Sequence, residues 1–258
     1  MRMLFGVFTL LYVLPVMVAA MIYRFRARDP DWRSADRSSA RLLPSPQQMH
    51  QAVVRVFSAR TVSWRGIIAT HSWIVIKDAR ARSYERFDYT AWGEPIWKDR
   101  FIADGRWFGS EPEVIFAADG ALAAAMIPTI RATVRDYRYP RRGDYRLWPG
   151  PNSNTFVAAV MQAVRMKAAL PSTAIGKDFP YDGRIVGWTA SRTGVRLNLG
   201  GYFGITLGWF EGIEVNLLGA VAGVDIRRPA LKLPALGRLG ISLHSSDPSI
   251  ARNIVASK

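Results

Sequence analysis

The feature that most limits the fold of this chain is an apolar run close to its first residue. No side chain from Met3 to Tyr23 is charged, and these 21 residues, at 1.5 Å each in an α-helix, reach about 30 Å, the thickness of the hydrocarbon core of a bilayer. We therefore predict a transmembrane anchor over residues 1–23. A cleaved signal peptide is the alternative, since Val18-Ala19-Ala20 resembles a cleavage site, but the apolar run continues past Ala20.

The charge of the chain favours a membrane as its partner. Lysine and arginine outnumber aspartate and glutamate by 35 to 20, a formal net charge of +15. The arginines cluster in two places, Arg24, Arg26, Arg28, Arg33, Arg37 and Arg41, and then Arg131, Arg135, Arg138, Arg141, Arg142 and Arg146. Such clusters neutralise the phosphates of nucleic acid or of anionic lipid headgroups. Because no nucleic-acid-binding motif accompanies them, we expect a lipid bilayer as the partner and argue against nucleic acid.

The position of the first cluster also predicts an orientation. One arginine precedes the apolar run and five follow it within about fifteen residues, which favours a cytoplasmic globular part. The two-residue tail before the run also suits the opposite orientation. The sequence therefore leaves open on which side of the membrane the globular part lies.

The use of cysteine and histidine excludes several kinds of site. The chain has no cysteine, which rules out disulfides, zinc ribbons, iron–sulfur clusters and a thiol nucleophile. Its three histidines, His50, His71 and His244, are too widely spaced to form a local metal-ligand pair. We therefore predict no metal site and no cofactor.

The rest of the chain divides into a basic linker and one α+β domain. Residues 24–46 are rich in Arg, Asp, Ser and Pro and lack apolar periodicity, which predicts a linker, and residues 47–258 form the domain. The patterns predict helices at residues 47–59, 121–137 and 155–170, and strands at residues 63–68, 71–76 and 83–89.

A glycine-rich region follows, at residues 194–226. Its eight glycines disfavour a helix, and Val195, Leu197 and Leu199 alternate with Arg196 and Asn198. We predict an antiparallel β-ribbon over about residues 194–243. The ribbon is apolar enough to lie against a membrane or another subunit.

Two short motifs are candidates for chemistry. His71 begins an apolar strand, and the run from Trp148 to Phe156, with two prolines before Asn152, leads directly into a predicted helix. Ser153 is therefore expected at a helix N-terminus, where backbone amides stabilise a developing anion. The alternative is that Asn152, Ser153 and Asn154 only cap the helix and that His71 is a half-buried side chain with its hydrogen bonds satisfied.

The chain from His71 to Gly240 resembles a bacterial family known as domain of unknown function 3750. The resemblance rests on the His-x-Trp strand, the Trp148–Phe156 run, residues 174–178 and residues 225–229. The family has no established activity to carry over. It implies a bacterial protein, and with the apolar run it predicts the inner membrane as the location.

A more distant resemblance is to permuted papain-like hydrolases of the NlpC and PPPDE types, in which a histidine on an early strand precedes a helix-opening Asn-Cys-Asn run. It implies a papain-like core at about residues 60–190, with His71 as the base and Ser153 in the place of the nucleophilic cysteine. Asp88 is the expected partner of the imidazole, with Glu85 in reserve. Trp73, Trp148, Asn152 and Asn154 are the expected substrate-binding residues.

Three functions follow from these observations. The first is a membrane-anchored hydrolase or acyltransferase that acts on amide or ester bonds with His71 and Ser153. Because a serine hydroxyl needs help from a general base, a catalytically silent papain-like module that binds a small molecule, peptide or lipid is an equal alternative. The third is a structural membrane protein whose glycine-rich ribbon packs against partners.

Overall fold

A computed structural model describes residues 2–25 and 31–240. These residues form a mixed α/β structure with an apolar N-terminal helix and two antiparallel sheets, which confirms the predicted mixture of helices and strands and the apolar helix. The N-terminal helix α1, Arg2–Phe25, includes a π-helical stretch at Thr9–Val13. It is long and apolar enough to cross a membrane, and a signal sequence has the same properties.

The first sheet has five strands and is covered on both faces. The strands are β1 (Val53–Arg60), β2 (Thr70–Lys77), β3 (Glu85–Tyr89), β4 (Ile96–Lys98) and β5 (Glu113–Asp119), in the spatial order β4-β3-β2-β1-β5. Helices α2 (Gly120–Arg135) and α3 (Ser153–Ala163) pack on one face with an aliphatic and aromatic core. An aromatic cluster, Phe57, Trp73, Trp107 and Phe108, covers the other. Burial on both faces suits the β-branched and aromatic residues of the central strands.

The second sheet has seven strands, each paired with the next along the chain. They are β6 (Val186–Trp188), β7 (Gly194–Leu199), β8 (Phe203–Gly208), β9 (Gly212–Leu217), β10 (Ala220–Asp225), β11 (Ala230–Leu233) and β12 (Gly237–Gly240). Glycines serve the turns, since Gly212 and Gly219 have φ of +75° and +86°. The structure is thus a meandering sheet that is wider than the predicted ribbon and begins before it.

The polarity of the seven-stranded sheet is reversed from that of a soluble protein. Its inward-facing side chains are largely polar and buried, namely Arg196, Asn198, Thr206, Glu214, Asn216 and Lys232. Its outward-facing side chains are apolar, and many are well exposed, among them Val186, Trp188, Val195, Leu197, Leu199, Ile205, Leu207, Ile213, Val215, Val224, Leu231 and Leu239. We call this second set the outer face.

Helix α1 lies on the outer face. The hydroxyl of Tyr12 donates a hydrogen bond to the carbonyl oxygen of Val215, 3.0 Å away in the middle of β9. Ala222 shares the outer side with Val215, yet it is only 4% exposed, because residues 9–13 of α1 contact β10. Pro15 and Ala19 are the buried residues of the last part of the helix, Leu14–Phe25, and this part contacts Ser63–Ile67, between β1 and β2. The helix therefore covers part of an otherwise exposed apolar sheet.

Three predicted elements differ from the structure. Residues 47–59 were expected to form a helix, but Val53–Arg60 is strand β1, because its valines and Phe57 are buried on alternate faces of the sheet. Ser63–Ile67 is a short 3-10 helix, where a strand was expected. The helix expected at residues 155–170 begins at Ser153 and ends at Ala163.

Candidate functional site

His71 belongs to a buried chain of three polar side chains. Its Nε2 lies 2.9 Å from Oδ1 of Asp88, on the neighbouring strand β3. The carboxylate of Asp88 also accepts two hydrogen bonds from Arg86, from Nε at 2.7 Å and from Nη2 at 2.9 Å. All three residues are at most 4% exposed. The structure thus brings together His71 and Asp88, the expected partner of the imidazole. Glu85, held in reserve for that role, instead contacts Lys98 and Arg131.

The electrostatics of this chain keep the imidazole neutral. Burial lowers the pKa of His71, and the opposing attraction of Asp88 does not reverse the shift. Burial alone would raise the pKa of Asp88, but the positive charge of Arg86 and the hydrogen bonds from His71 and Arg86 outweigh it and lower that pKa. Because the ionised carboxylate only accepts hydrogen bonds, the neutral imidazole donates from Nε2.

Aromatic rings enclose the imidazole. The ring of His71 stacks on Trp107 with the centroids 3.6 Å apart and the planes at 5°. The guanidinium of Arg86 lies over the ring of Trp73, 4.1 Å from its centroid. Trp73, an expected substrate-binding residue, is fully buried and takes part in this packing. The surroundings of His71 are those of a structural core and not of an open cleft.

Ser153 begins α3, as expected. The backbone amides of the next two residues, however, already donate hydrogen bonds within the helix cap. The side-chain oxygen of Asn152 accepts hydrogen bonds from the backbone amides of Asn154 and Thr155, at 3.0 and 3.2 Å. The hydroxyl of Thr155 accepts in turn from the amide of Asn152, which completes a capping box. An anion at this helix N-terminus would have to displace the cap.

Asn154 and Asn152 also attach α3 to its neighbours. The side-chain amide of Asn154 donates to the carbonyl oxygens of Thr70 and Ile175, at 2.9 and 2.8 Å. The side-chain amide of Asn152 donates to the carbonyl oxygens of Leu147 and Ile175, both at 3.0 Å. The two asparagines expected to bind substrate therefore join the start of α3 to β2 and to the adjoining loops.

His71 and Ser153 lie on opposite faces of the five-stranded sheet. Side chains alternate along β2, so the ring of His71 shares the aromatic side with Trp73, and Ser72 points to the other side. The hydroxyl of Ser72 donates to Oδ1 of Asn154, 2.8 Å away in the first turn of α3, so this helix begins on the Ser72 side. A general base must lie within hydrogen-bond reach of its nucleophile, and here the sheet separates the two groups. The expected dyad is not formed.

Trp148, the fourth expected substrate-binding residue, lies at the seven-stranded sheet. Its indole Nε1 donates to the carbonyl oxygen of Leu218, 2.8 Å away at the turn after β9, and its ring meets the edge of Tyr202. The side chain is 45% exposed. It therefore lies at one end of the seven-stranded sheet.

Sequence reasoning missed Tyr145, which lies beside Ser153. Burial raises the pKa of the Tyr145 hydroxyl to about 12, against the opposing effect of hydrogen bonds with Ser153. Tyr145 also stacks on Tyr89, in the core between the sheet and α3. The only signal for Tyr145 was its place just before the Trp148–Phe156 run.

Sequence reasoning also missed a buried charge cluster on the inner side of the seven-stranded sheet. The carboxylate of Glu214 lies between Nζ of Lys177 at 2.6 Å and Nζ of Lys232 at 2.7 Å. Burial would raise the pKa of Glu214, but the two ammonium groups outweigh it and lower that pKa.

Across residues 2–25 and 31–240, no group of three or more His, Asp or Glu side chains is placed to hold a metal ion.

The comparison with known families agrees with the first resemblance. A family model described as "Protein of unknown function (DUF3750)" matches residues 51–179, half of the chain. The chain belongs to the DUF3750 family. The match covers β1 to β5, α2 and α3, and it ends before the seven-stranded sheet of this DUF3750 protein. No curated protein and no solved structure matches the chain significantly, so the comparisons lend no support to the papain-like resemblance.

Proposed function

We propose that this DUF3750 protein is a membrane-tethered structural or binding protein that performs no chemistry with His71 and Ser153. The observation that carries the proposal is the separation of the two side chains by the five-stranded sheet. A hydrolase or acyltransferase of the expected type needs the imidazole to take a proton from the hydroxyl as the bond forms. Here the imidazole already donates to Asp88 and stacks on Trp107.

Helix α1 supports the membrane part of the proposal. Its outward residues are strongly exposed and apolar, for example Met17 at 61% and Phe5 at 71%. Its packed residues, Tyr12 and Ala19, contact the folded domain, as expected of a retained anchor and not of a leader that is removed. The arginines after α1 favour a cytoplasmic position for the domain under the positive-inside rule.

The absence of cysteine allows a direct test of the proposed lack of a dyad. Ser153→Cys places the only thiol of the chain at the start of α3. We expect its apparent pKa, followed by the ultraviolet absorbance of the thiolate, to change by less than about half a unit when His71→Gln is added, because no imidazole faces it. Glutamine keeps an amide donor toward Asp88. A rise of one unit or more on removal of the imidazole would restore the hydrolase interpretation.

A second experiment tests the retention of α1. We expect the intact mass of the protein extracted from membranes to include residues 1–25, and alkaline washing to leave the protein in the membrane fraction. A mature chain that begins after Ala20 would contradict the tether.

A further inference from the structure

We propose that the outer face of the seven-stranded sheet lies directly against the acyl chains of a phospholipid bilayer, beside α1. This inference rests on the proposed membrane tether and extends it from one helix to a sheet. It names lipid as the occupant of the outer face.

The composition of the outer face is the first reason. At every outward position of β7, β8 and β9 the residue is apolar: Val195, Leu197, Leu199, Phe203, Ile205, Leu207, Ile213, Val215 and Leu217. A contiguous exposed apolar patch of this kind is rare on soluble proteins and marks a contact with a membrane or another protein. The strands of an antiparallel sheet in water show the opposite pattern, with polar residues outward.

The inner face shows that the sheet is held in this orientation. Glu214 is paired with Lys177 and Lys232, and Arg196 is paired with Asp182. Turning these strands over would place charged groups outward and unpair them, and a one-residue slip along a strand would exchange the two faces. The apolar side therefore faces outward in the folded chain.

Contact with α1 identifies the occupant as lipid. The hydroxyl of Tyr12 meets the carbonyl oxygen of Val215, so the helix and the outer face form one continuous apolar surface. The contact joins the middle of α1 to the middle of β9, and residues 9–13 of α1 also contact β10. A helix that enters lipid carries the outer face into lipid with it.

The ends of the strands fit the interface of a bilayer. Trp188 and Trp209 lie at one end of the strands, and Trp148 and Tyr202 lie at the other end, all of them exposed. Tryptophan and tyrosine prefer the level of the lipid headgroups. Arg227, which lies over the ring of Phe210, adds a positive charge at the same end as Trp209, where anionic headgroups would meet it.

Six residues of a strand reach only about 20 Å, less than the hydrocarbon thickness, so these strands do not cross the bilayer. We infer that the sheet rests with its outer face in one leaflet, while its paired polar groups face the protein.

The test uses the full chain with single cysteines, since the natural sequence has none. Met17→Cys reports on α1, Leu207→Cys reports on the outer face, and Ile102→Cys is the control. Ile102, at 52% exposed, is an equally apolar and exposed position that belongs to the other half of the molecule. Each thiol carries an environment-sensitive fluorophore, and each protein is reconstituted in vesicles of phosphatidylcholine and phosphatidylglycerol, with and without nitroxide on the acyl chains.

We expect a several-fold loss of fluorescence from the nitroxide lipid at positions 17 and 207 and almost none at position 102. Loss at position 17 but not at 207 would overturn the inference and leave the membrane tether standing. No loss at either position would overturn both. Disulfide-linked dimers of Leu207→Cys in the vesicles, without quenching, would replace lipid with a second copy of the chain. A second label at Leu197→Cys, with an unfolding transition measured for each variant, guards against a local effect of one substitution.

Discussion

The two sheets of this protein are alike in their buried ion pairs but differ in how much of their apolar surface is covered. Each buries a carboxylate between two nitrogen-bearing side chains, for example Asp88 between His71 and Arg86 and Glu214 between Lys177 and Lys232. The five-stranded sheet then covers both of its faces with its own helices and aromatic residues. The seven-stranded sheet leaves most of its apolar face exposed. We infer from this difference that the apolar face of the second sheet is covered by a partner, whereas the first sheet is covered by its own chain.

The largest expected effect compares neighbouring residues on the two faces of β9. Glu214→Leu leaves Lys232 buried without its carboxylate, and we expect the free energy of unfolding to fall by about 3–5 kcal/mol. Val215→Thr, one residue along and on the outer face, should cost less than about 1 kcal/mol in detergent. Urea unfolding in micelles measures both. Equal costs would show that the polar side is not the structural core of this sheet.

The five-stranded sheet offers the matching experiment. Asp88→Asn leaves the charge of Arg86 buried without a counter-charge, and we expect a loss of about 3 kcal/mol. Glu85→Gln breaks ion pairs with Lys98 and Arg131 at partly exposed positions and should cost less than about 1 kcal/mol. A reversed order in the same unfolding assay would contradict the structural role of Asp88.

A smaller effect on stability distinguishes Asn152, which caps α3, from Ser153, the expected nucleophile. Asn152→Ala removes the acceptor of two amides, and we expect the stability to fall by about 1–2 kcal/mol. Ser153→Ala should cost no more than about 1 kcal/mol, the typical net value of one hydrogen bond, here the one with Tyr145. Equal labelling of wild type and Ser153→Ala by a fluorophosphonate probe is the accompanying expectation. Labelling that disappears in the variant would indicate a reactive serine.

The smallest effect is a pH dependence of stability near neutral pH that arises from His71 in the five-stranded sheet. Because burial lowers the pKa of His71 in the folded state, the unfolded chain takes up a proton first as the pH falls below about 6.5. The contribution of His71 to stability is therefore complete above about pH 6.5 and decreases as the pH falls toward the folded pKa. We expect His71→Gln to flatten the stability curve between pH 7 and pH 5. A stability curve that His71→Gln leaves unchanged would show that the proton taken up between pH 7 and pH 5 binds to a group other than His71.

Much of the first half of the molecule follows from its sequence. The apolar run, strands β2 and β3 and helices α2 and α3 are visible as periodicity, and the alternation of β3 places Arg86 and Asp88 on one face. The prediction for residues 47–59 failed because Val53, Val54, Val56 and Phe57 suit a helix with one apolar face as well as a strand buried on both.

The position of the candidate site did not follow from sequence. Whether α3 begins on the His71 side or the Ser72 side of β2 depends on which face of the sheet the helix covers, and no local pattern encodes that choice. The same limit holds for the second sheet. The alternation of Leu197 with Arg196 and Asn198 is plain, but only the partners of those polar groups show that they lie inside.

The most direct test of the account is the accessibility of three consecutive positions on β8. Spin labels on Ile205→Cys, Thr206→Cys and Leu207→Cys, in the full chain reconstituted in vesicles, report collisions with oxygen dissolved in lipid and with a water-soluble nickel complex. We predict frequent oxygen collisions at 205 and 207, and few collisions with either reagent at 206, which is 7% exposed. Oxygen accessibility at 206 with protection at 205 and 207, or nickel accessibility at 205 and 207, would contradict an apolar face turned toward lipid.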